Sequence, residues 1–336
     1  MIYSTGSYPK FLNAVDINGD GKPDIIVVNY VSNNVGVLLN TGNGTFSAQT
    51  TYLTGTGPFG LAITDVNGDG KPDIIVVNSG SNNVGVLLNI GSGTFSAQTT
   101  YSTGSNPGCV AATDANGDGK PDIIVANFVS NNVGVLLNIG SGTFSAQTTY
   151  STGSGPYSVA AADVNGDGKT DIIVVNYVSN NVGVLLNTGN GTFSAQTTYS
   201  TVSKPVCVAA ADVNGDGKTD IIVVNSGSNN VGVLLNRDNG TFSAQTTYST
   251  GSSPACVTAA DVNGDGKTDI IVGNFASNNT GVLLNIGNGT FAAQTTYSTG
   301  YHPYYVAAAD VNGDGKTDII VANSGSNNVG VLLNYC

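Results

Sequence analysis

Nearly all the carboxylate side chains in this sequence lie in a nine-residue loop that occurs seven times. The first copy runs from Asp16 to Asp24, and each later copy starts 49 residues after the one before it. Every copy carries Asp, Asn, Asp and Asp at positions 1, 3, 5 and 9, with Gly at position 6. Calcium takes about six to eight oxygen ligands in flexible geometry, and Gly at position 6 permits the sharp turn between them. The pattern therefore predicts up to seven structural calcium sites. The other loops are 65–73, 114–122, 163–171, 212–220, 261–269 and 310–318.

In the first loop we expect five protein ligands, with water completing the shell. They are the side chains of Asp16, Asn18, Asp20 and Asp24 and the backbone carbonyl of Lys22. The alternative is a plain hydrophilic turn, since Asp, Asn and Gly all favour turns. Seven copies at a fixed spacing favour the metal. The corresponding ligands of the other loops are Asp65, Asn67, Asp69, Lys71, Asp73; Asp114, Asn116, Asp118, Lys120, Asp122; Asp163, Asn165, Asp167, Lys169, Asp171; Asp212, Asn214, Asp216, Lys218, Asp220; Asp261, Asn263, Asp265, Lys267, Asp269; and Asp310, Asn312, Asp314, Lys316, Asp318.

The acidic charge of the chain belongs almost wholly to these loops. The chain has 22 acidic residues, all of them aspartate, and only Asp238 lies outside the loops. Seven divalent ions would therefore offset the net charge of −12. The loops are not EF-hands, because position 12 of the first loop is Val27, where an EF-hand needs a bidentate glutamate. Millimolar calcium outside cells would fill such sites most readily, so we expect an extracellular or cell-surface location.

The residues between the loops predict an all-β fold. In the second repeat we expect strands at Phe59–Asp65, Asp73–Asn78, Asn83–Asn89 and Thr94–Tyr101, with a turn at 90–93 between the last two. Four strands in each of seven repeats indicate a seven-bladed β-propeller of four-stranded antiparallel blades, which forms one domain over residues 1–336. A solenoid is the alternative. No apolar run is long enough to cross a bilayer, and we expect neither membrane insertion nor nucleic-acid binding.

The two ends of the chain predict how the ring closes. The last repeat stops after its third strand, near Asn334, while Met1–Gly6 matches the end of a fourth strand. We therefore expect the N-terminal segment to complete the last blade, which removes two open sheet edges at once. Because the chain opens directly in repeat sequence, we expect no signal peptide.

These repeats resemble the FG-GAP/VCBS family, the calcium-binding propeller repeats of integrin α-chains and of many secreted microbial proteins. The resemblance covers essentially the whole chain. It implies that each aspartate-rich loop joins the two inner strands of a blade and binds calcium. The Phe-Gly of the family name survives only at Phe59-Gly60, and the Gly-Ala-Pro element is replaced, for example by Val-Asn-Ser-Gly. These departures weaken a specific link to integrin-type ligand recognition.

Two variable segments mark a candidate binding face. One surrounds the proline before the first strand of each repeat, and the other connects the second and third strands, as at Tyr30, Phe128, Tyr177 and Phe275. Strand direction places both at the end opposite the calcium loops. Loops on a rigid scaffold commonly carry function, although drift at tolerant loops would look the same. The predicted ligand-binding residues are Tyr8, Phe11, Phe59, Tyr157, His302, Tyr304 and Tyr305.

Catalysis is not expected. His302 is the only histidine, and the loops use every acidic residue but Asp238, so no carboxylate pair remains for acid–base chemistry. We expect four free thiols, although Cys207 and Cys256 on adjacent blades are able to pair in principle. The other two are Cys109 and Cys336.

Two functions of different classes remain open at this point. The first is a calcium-stabilised recognition or adhesion module that binds carbohydrate or protein. The second is a purely structural or recently amplified repeat scaffold with no small ligand, which the near-identity of the repeats favours. We expect a monomer or a part of a larger chain or assembly.

Overall fold

The computed structural model describes residues 1–335, which form seven four-stranded antiparallel sheets standing as blades in a ring. Short strand β1 (Ile2–Ser4) precedes the first repeat, and a single 3₁₀ turn occurs at Ser226–Ser228. None of the described residues forms a helix long and apolar enough to cross a bilayer.

The first four repeats each contribute six strands. They are β2 (Pro9–Val15), β3 (Asp24–Asn29), β4 (Asn34–Leu38), β5 (Asn40–Gly42), β6 (Thr45–Phe46) and β7 (Thr50–Leu53); β8 (Pro58–Thr64), β9 (Asp73–Asn78), β10 (Asn83–Leu87), β11 (Asn89–Gly91), β12 (Thr94–Phe95) and β13 (Thr99–Ser102); β14 (Pro107–Thr113), β15 (Asp122–Asn127), β16 (Asn132–Leu136), β17 (Asn138–Gly140), β18 (Thr143–Phe144) and β19 (Thr148–Ser151); and β20 (Pro156–Ala162), β21 (Asp171–Asn176), β22 (Asn181–Leu185), β23 (Asn187–Gly189), β24 (Thr192–Phe193) and β25 (Thr197–Ser200).

The fifth and sixth repeats follow the same plan, and the seventh contributes three strands. They are β26 (Pro205–Ala211), β27 (Asp220–Asn225), β28 (Asn230–Leu234), β29 (Asn236–Asp238), β30 (Thr241–Phe242) and β31 (Thr246–Ser249); β32 (Pro254–Ala260), β33 (Asp269–Asn274), β34 (Asn279–Leu283), β35 (Asn285–Gly287), β36 (Thr290–Phe291) and β37 (Thr295–Ser298); and β38 (Pro303–Ala309), β39 (Asp318–Asn323) and β40 (Asn328–Leu332).

The N-terminal strand closes the ring, as predicted. Strand β1 pairs with β40 of blade 7, with Tyr3 opposite Val329, so the sheet order is β38-β39-β40-β1. The backbone of Met1 adds bonds in both directions to Val331, with its terminal amine donating at 2.6 Å and its carbonyl accepting at 2.8 Å. The closed seven-bladed propeller is therefore confirmed, and the solenoid alternative is wrong.

The second strand of each blade is apolar on both faces because it serves two blade interfaces. In β3, Ile25 and Val27 pack in a cluster with blade 7, whereas Ile26 and Val28 pack in a cluster with blade 2. All four side chains are 0% exposed. The same alternation recurs around the ring, so the core is a set of inter-blade layers and every repeat needs an unbroken apolar run at this place.

The predicted outermost strand of the second repeat, Thr94–Tyr101, is wrong in extent. Thr94–Phe95 leaves the blade and pairs with Asn89–Gly91 as a separate two-stranded ribbon, while Thr99–Ser102 is the true outer strand. The sheet pairing ends there because the N–H of Asn89 donates to the side-chain carboxylate of Asp73, at 2.7 Å, instead of to a backbone carbonyl of a neighbouring strand. The same excursion occurs in the first six repeats. We call each ribbon a hairpin.

Each hairpin carries a phenylalanine that locks one blade to the previous one. Phe193 of blade 4 meets Tyr150 of blade 3 edge-on, with ring centroids 5.4 Å apart, and Tyr150 donates its hydroxyl to the carbonyl of Gly191 at 3.1 Å. Five other junctions repeat this contact with centroid distances of 5.3–5.4 Å. Among the described residues, Tyr297 of blade 6 meets no such hairpin and is 46% exposed.

Replacing Tyr150 by Ala is expected to lower the free energy of unfolding by roughly 2–4 kcal/mol, because it removes a packed ring and leaves a cavity beside Phe193. The matched change Tyr297→Ala, at the equivalent place in blade 6, is expected to cost less than about 1 kcal/mol. Urea unfolding followed by circular dichroism would measure both. Equal destabilisation in the two variants would mean that the Tyr–Phe contact does not join the blades.

Candidate functional site

The aspartate-rich loops are organised by their own first carboxylate. Asp16 accepts hydrogen bonds from the backbone N–H groups of Gly19 and Gly21, each at 2.7 Å, so its two oxygens hold the loop in a tight curve. Both glycines have φ near +80°, at 81° and 82°, which other residues adopt only under strain. Asn18 and Asp20 each accept a backbone bond two residues further on. The sequence therefore folds this segment as a cradle of oxygen atoms.

The carboxylate at position 9 also holds the loop to the third strand, a role that we did not predict from the sequence. Asp24 is 0% exposed, and its two oxygens accept the backbone N–H groups of Ile17 at 3.1 Å and Asn40 at 2.7 Å. It therefore fastens the loop to the end of the third strand. Each carboxylate oxygen has a further lone pair, so these bonds leave acceptor capacity for a cation.

Electrostatics around position 9 disfavour its ionised form. Burial raises the pKa of Asp24, and the negative charges of Asp20 and Asp16 raise it further, against the lowering effect of the two backbone bonds. The pKa is raised for the same reasons at the equivalent residue of every loop. Those residues are Asp73, Asp122, Asp171, Asp220, Asp269 and Asp318.

The asparagine after the third strand ties neighbouring loops together. The side-chain amide of Asn40 donates to Pro23 of its own loop at 3.0 Å and to Val311 of the blade 7 loop at 2.8 Å. An equivalent bond crosses each of the other blade junctions. This asparagine recurs in every repeat, and that recurrence was the available signal for its role.

The donor set of the loops fits a hard cation. A half-buried carboxylate at position 1, an exposed one at position 5, an amide oxygen and a backbone carbonyl offer oxygen only, which suits calcium or magnesium. In six loops the position-7 lysine already brings a positive charge to the position-5 carboxylate, at 2.9–3.9 Å. These ion pairs are exposed and worth little, so they would not prevent a divalent ion from binding. Within residues 1–335, no three acidic, histidine or cysteine side chains lie close enough together to hold a metal by themselves. A metal site in a loop would therefore also need the amide oxygen at position 3, as in Asn18, and backbone carbonyl oxygens.

At the opposite end of the ring, aromatic residues close the central axis. The hydroxyls of Tyr157 and Tyr304 hydrogen-bond at 2.8 Å although they belong to blades 4 and 7. Phe59 of blade 2 meets both rings edge-on, at 5.8 and 5.9 Å. We call Phe59, Tyr157, Tyr304 and Lys10 the axial plug. Three predicted ligand residues from non-adjacent blades are thus brought together.

The remaining predicted ligand residues lie around the plug and contact other side chains there. Phe11 and Tyr305 stack on each other at 3.7 Å, and burial raises the pKa of Tyr305 well above its usual range, so these two rings serve mainly as packing. His302 lies between the rings of Phe275 and Tyr301, at 4.2 and 4.0 Å. Tyr8 lies 4.9 Å from the Lys10 amine.

Beside the plug lies an open depression of about 380 Å³ that reaches across blades 3 to 7. Its aromatic walls include Phe128, Tyr177 and Phe275, which follow the second strands of their blades and are absent from the predicted ligand set. The sequence feature that could have identified them was the variation between repeats at the connection of the second and third strands. We call this cavity the aromatic depression, and it is lined by Phe128, Tyr157, Tyr177, Lys204, Val206, Ser226, Ser253, Ala255, Phe275 and Tyr304.

The thiols under the plug are free and inert. Cys109, Cys207 and Cys256 form no disulfide. Burial raises the pKa of the Cys207 thiol to about 12, and Cys207 accepts a backbone bond from Val257 at 3.4 Å. A protonated, buried thiol is a poor nucleophile. The prediction of free thiols holds for these three residues, while Cys336 lies outside the described part of the chain.

Comparison with known proteins identifies the family. Six overlapping segments match the FG-GAP-like repeat, at residues 16–76, 65–125, 114–174, 163–223, 212–272 and 261–321. The chain belongs to the FG-GAP-like repeat family. Each FG-GAP match starts at the first aspartate of one loop and ends within the second strand of the next blade. No curated protein sequence matches the chain.

Solved structures share the FG-GAP propeller's fold at low identity. A lectin of Agrocybe aegerita that recognises non-reducing terminal N-acetylglucosamine is 22% identical, with a TM-score of 0.59 over 93% of this chain and 85% of the lectin. Virginiamycin B lyase of Staphylococcus aureus is 16% identical, with a TM-score of 0.69 over 99% and 98%. BBS1N, solved in complex with ARL6DN, is 11% identical, with a TM-score of 0.69 over 99% and 94%. Binding proteins and an enzyme thus share this architecture, so fold alone does not decide between them.

The amine of Lys10 is enclosed by rings rather than by acids. Its Nζ lies 3.4 Å from the centroid of Tyr304 and 5.4 Å from that of Phe59. Burial lowers the pKa of Lys10 from 10.5 to about 7. The folded protein therefore holds this proton less tightly than the unfolded chain does. Folding is penalised by the buried charge below about pH 7, and the free energy of unfolding rises as the pH goes from about 7 to 10.5.

The substitution Lys10→Met is accordingly expected to raise the melting temperature at about pH 6 and to raise it much less at about pH 9.5, where the native amine is already neutral in the folded state. Differential scanning calorimetry at the two pH values would measure the difference. The exposed Lys204→Met serves as the matched control and should show no such pH dependence. If Lys10→Met gives the same shift at both pH values, or lowers stability at the lower one, the buried charge is not a net cost.

Proposed function

We propose that this FG-GAP propeller is a calcium-stabilised, non-catalytic recognition module that works outside the cell and binds carbohydrate or protein through the face opposite its loops. The observation that carries the proposal is the aromatic depression beside the axial plug. It is a concave surface of about 380 Å³ with rings on its walls and a few polar groups between them. Ligand sites typically combine these features.

The chemistry of the depression suits a sugar. The rings of Phe128, Tyr177 and Phe275 offer flat apolar faces for the C–H side of a pyranose. Ser226, Ser253 and the Lys204 amine supply hydrogen-bonding groups for its hydroxyls. The lectin of Agrocybe aegerita shows that a propeller of this architecture can recognise a sugar, and the BBS1N complex shows that one can bind a protein. We favour carbohydrate because the depression combines several aromatic rings with hydroxyl and amine groups.

The placement of the titratable groups supports a non-catalytic role. His302 is stacked between two rings on the rim, and the buried thiols are protonated. The aspartates other than Asp238 lie in the loops at the far end of the blades. The depression therefore offers binding groups without a matched acid and base.

Calcium in this proposal is a structural ion that fixes the loop end of each blade. Ligation by Asp16, Asn18, Asp20 and the carbonyl of Lys22, with Asp24 behind them, would offset the repulsion among three carboxylates. Extracellular modules use calcium sites with dissociation constants of about 10⁻⁴–10⁻³ M, which are filled only outside the cell.

Adding calcium is expected to raise the melting temperature, because binding to the native state alone stabilises it by roughly 2.7 kcal/mol per site at a hundredfold excess over Kd. Thermal melts with calcium chloride and with EDTA would measure the shift, and isothermal titration calorimetry would give the stoichiometry. Lys204→Met, an exposed change on the face opposite the loops, is the control and should leave the calcium response unchanged. A melt that EDTA does not alter would refute the calcium assignment.

A glycan array probed with the calcium-loaded protein is expected to give a defined hit that is lost in Tyr177→Ala and in Phe128→Ala, with melting temperatures close to the parent. Leu53→Ala, a change at a side chain that is 81% exposed on an outer strand, is the control and should keep the hit. A hit that survives both aromatic substitutions would exclude the depression as the site. A blank array would exclude carbohydrate and leave the protein partner, which pull-down with the same variants would test.

A further inference from the structure

The charged side chains of this propeller are separated between its two ends. Every acidic residue but Asp238 lies in one of the seven loops, and Asp238 pairs with the loop residue Lys218 at 2.7 Å. Seven of the lysines lie in the loops as well, and Arg237 precedes Asp238 in its hairpin. The end that holds the aromatic depression therefore carries Lys10 and Lys204, and no carboxylate side chain in the part of the chain that the structure describes.

Lys204 lines the depression as an exposed positive charge without a counter-charge. The ion pairs among residues 1–335 all lie at the loop end, and none of them includes Lys204. Lys10 is different, because its amine lies against the ring of Tyr304 inside the plug. The depression therefore presents one positive charge to a ligand, and an anionic group on that ligand would complement it.

The backbone holds Lys204 in a conformation that suits glycine better than lysine. Its φ is 55°, and the equivalent residues of blades 2 and 4 are Gly57 and Gly155, with φ of 61° and 66°. Two hydrogen bonds fix this conformation. The Lys204 N–H donates to the side chain of Asn180 in blade 4 at 2.8 Å, and its carbonyl accepts the N–H of Ser226 at 3.0 Å. The base of the lysine side chain is therefore held firmly beside the depression.

A serine hydroxyl on the neighbouring segment is also available to a ligand. In blade 2 the equivalent Ser79 donates its hydroxyl to the carbonyl of Gly57 at 2.7 Å, and Ser324 of blade 7 makes the same kind of bond at 2.9 Å. In blade 5 the connection instead forms the 3₁₀ turn that begins at Ser226, and the described part of the chain contains no such bond from the Ser226 hydroxyl. Blade 5 therefore presents an ammonium group and a hydroxyl group, both of which donate hydrogen bonds, on the wall of the depression.

We propose that the aromatic depression binds an acidic sugar, a uronic acid whose carboxylate lies against Lys204 and Ser226 while its ring packs on the aromatic walls. The inference rests on the proposed function, because it takes the depression as the sugar site. A carboxylate has one negative charge and two acceptor oxygens, which match one ammonium and one hydroxyl donor. A phosphorylated sugar carries nearly two negative charges, and the depression offers one positive charge. A neutral sugar would leave Lys204 without a counter-charge.

The test compares methyl uronides of the gluco, galacto and manno configurations with the matching neutral methyl glycosides, by isothermal titration calorimetry on the full calcium-loaded protein. At least one uronide is expected to bind about tenfold more tightly than its neutral counterpart, the gain typical of a hydrogen bond to a charged group. Lys204→Met should remove that gain, and Lys204→Arg should keep most of it. Arg237→Met makes the same change of charge at the loop end of the same blade, so this control should bind the uronide as the parent does.

Ionic strength gives an independent readout. Because salt screens charges, raising it from about 50 to about 500 mM should weaken uronide binding and leave neutral glycosides unaffected. Lys204 is exposed, so its variants are expected to fold, and their melting temperatures check this.

The outcomes separate this inference from the proposed function. A neutral glycoside that binds as tightly as its uronide would overturn the acidic sugar and leave sugar recognition intact. Uronide binding that Lys204→Met does not weaken would overturn the assigned contact. Tighter binding of methyl glucoside 6-sulfate than of every uronide would overturn the carboxylate. If no sugar of either kind saturates the protein, the acidic sugar fails together with the carbohydrate arm of the proposed function.

Discussion

The buried carboxylate at position 9 of each loop is the constraint on which the other features depend. In the first blade, Asp24 receives the N–H groups of Ile17 and Asn40, so one side chain fixes the loop, the start of the second strand and the end of the third. If it were removed, two buried N–H groups would lack partners, which costs about 1–3 kcal/mol for each group. Asn40, held in this way, reaches across to Val311 of blade 7. The order of each loop and the spacing of adjacent blades therefore depend on the same short chain of hydrogen bonds.

This constraint explains why the repeats vary only where they do. The second strand contacts both neighbouring blades, so a change at Ile25 or Ile26 disturbs a different interface in each case. The loops are held by backbone bonds to their own carboxylates. Neither restriction applies at the end of the blade opposite the loops, where phenylalanine, tyrosine and histidine side chains meet. Tyr157 and Tyr304 are 147 residues apart and yet share a hydrogen bond. The arrangement of side chains on this face therefore depends on residues from different repeats.

The sequence alone predicted the blades but did not predict the contacts between them. Period and apolar runs predicted the second strands, such as Asp73–Asn78, and the match of Met1–Gly6 to a fourth strand predicted closure. The hairpins were missed because Thr94–Tyr101 has the composition of one continuous strand, and only the bond between Asn89 and Asp73 shows where it leaves the sheet. The rings of Phe128, Tyr177 and Phe275 were seen to vary, but their convergence depends on the curvature of the closed ring, which no local pattern encodes.

Blade 7 is held unequally on its two sides. On the side of blade 1, Tyr3 packs against Phe46 at 5.4 Å, and strand β1 completes the sheet. On the side of blade 6, the inter-blade core and the bond from Asn334 to Val262 are present, but Tyr297 has no ring to pack against within the described chain. Ile319 there is 8% exposed, whereas its counterpart Ile25 is 0% exposed. Local opening follows the least buried contacts, so among residues 1–335 the least protected junction is that of blades 6 and 7. The closure by β1 therefore strengthens the junction of blades 7 and 1, which the contact between Tyr3 and Phe46 also holds.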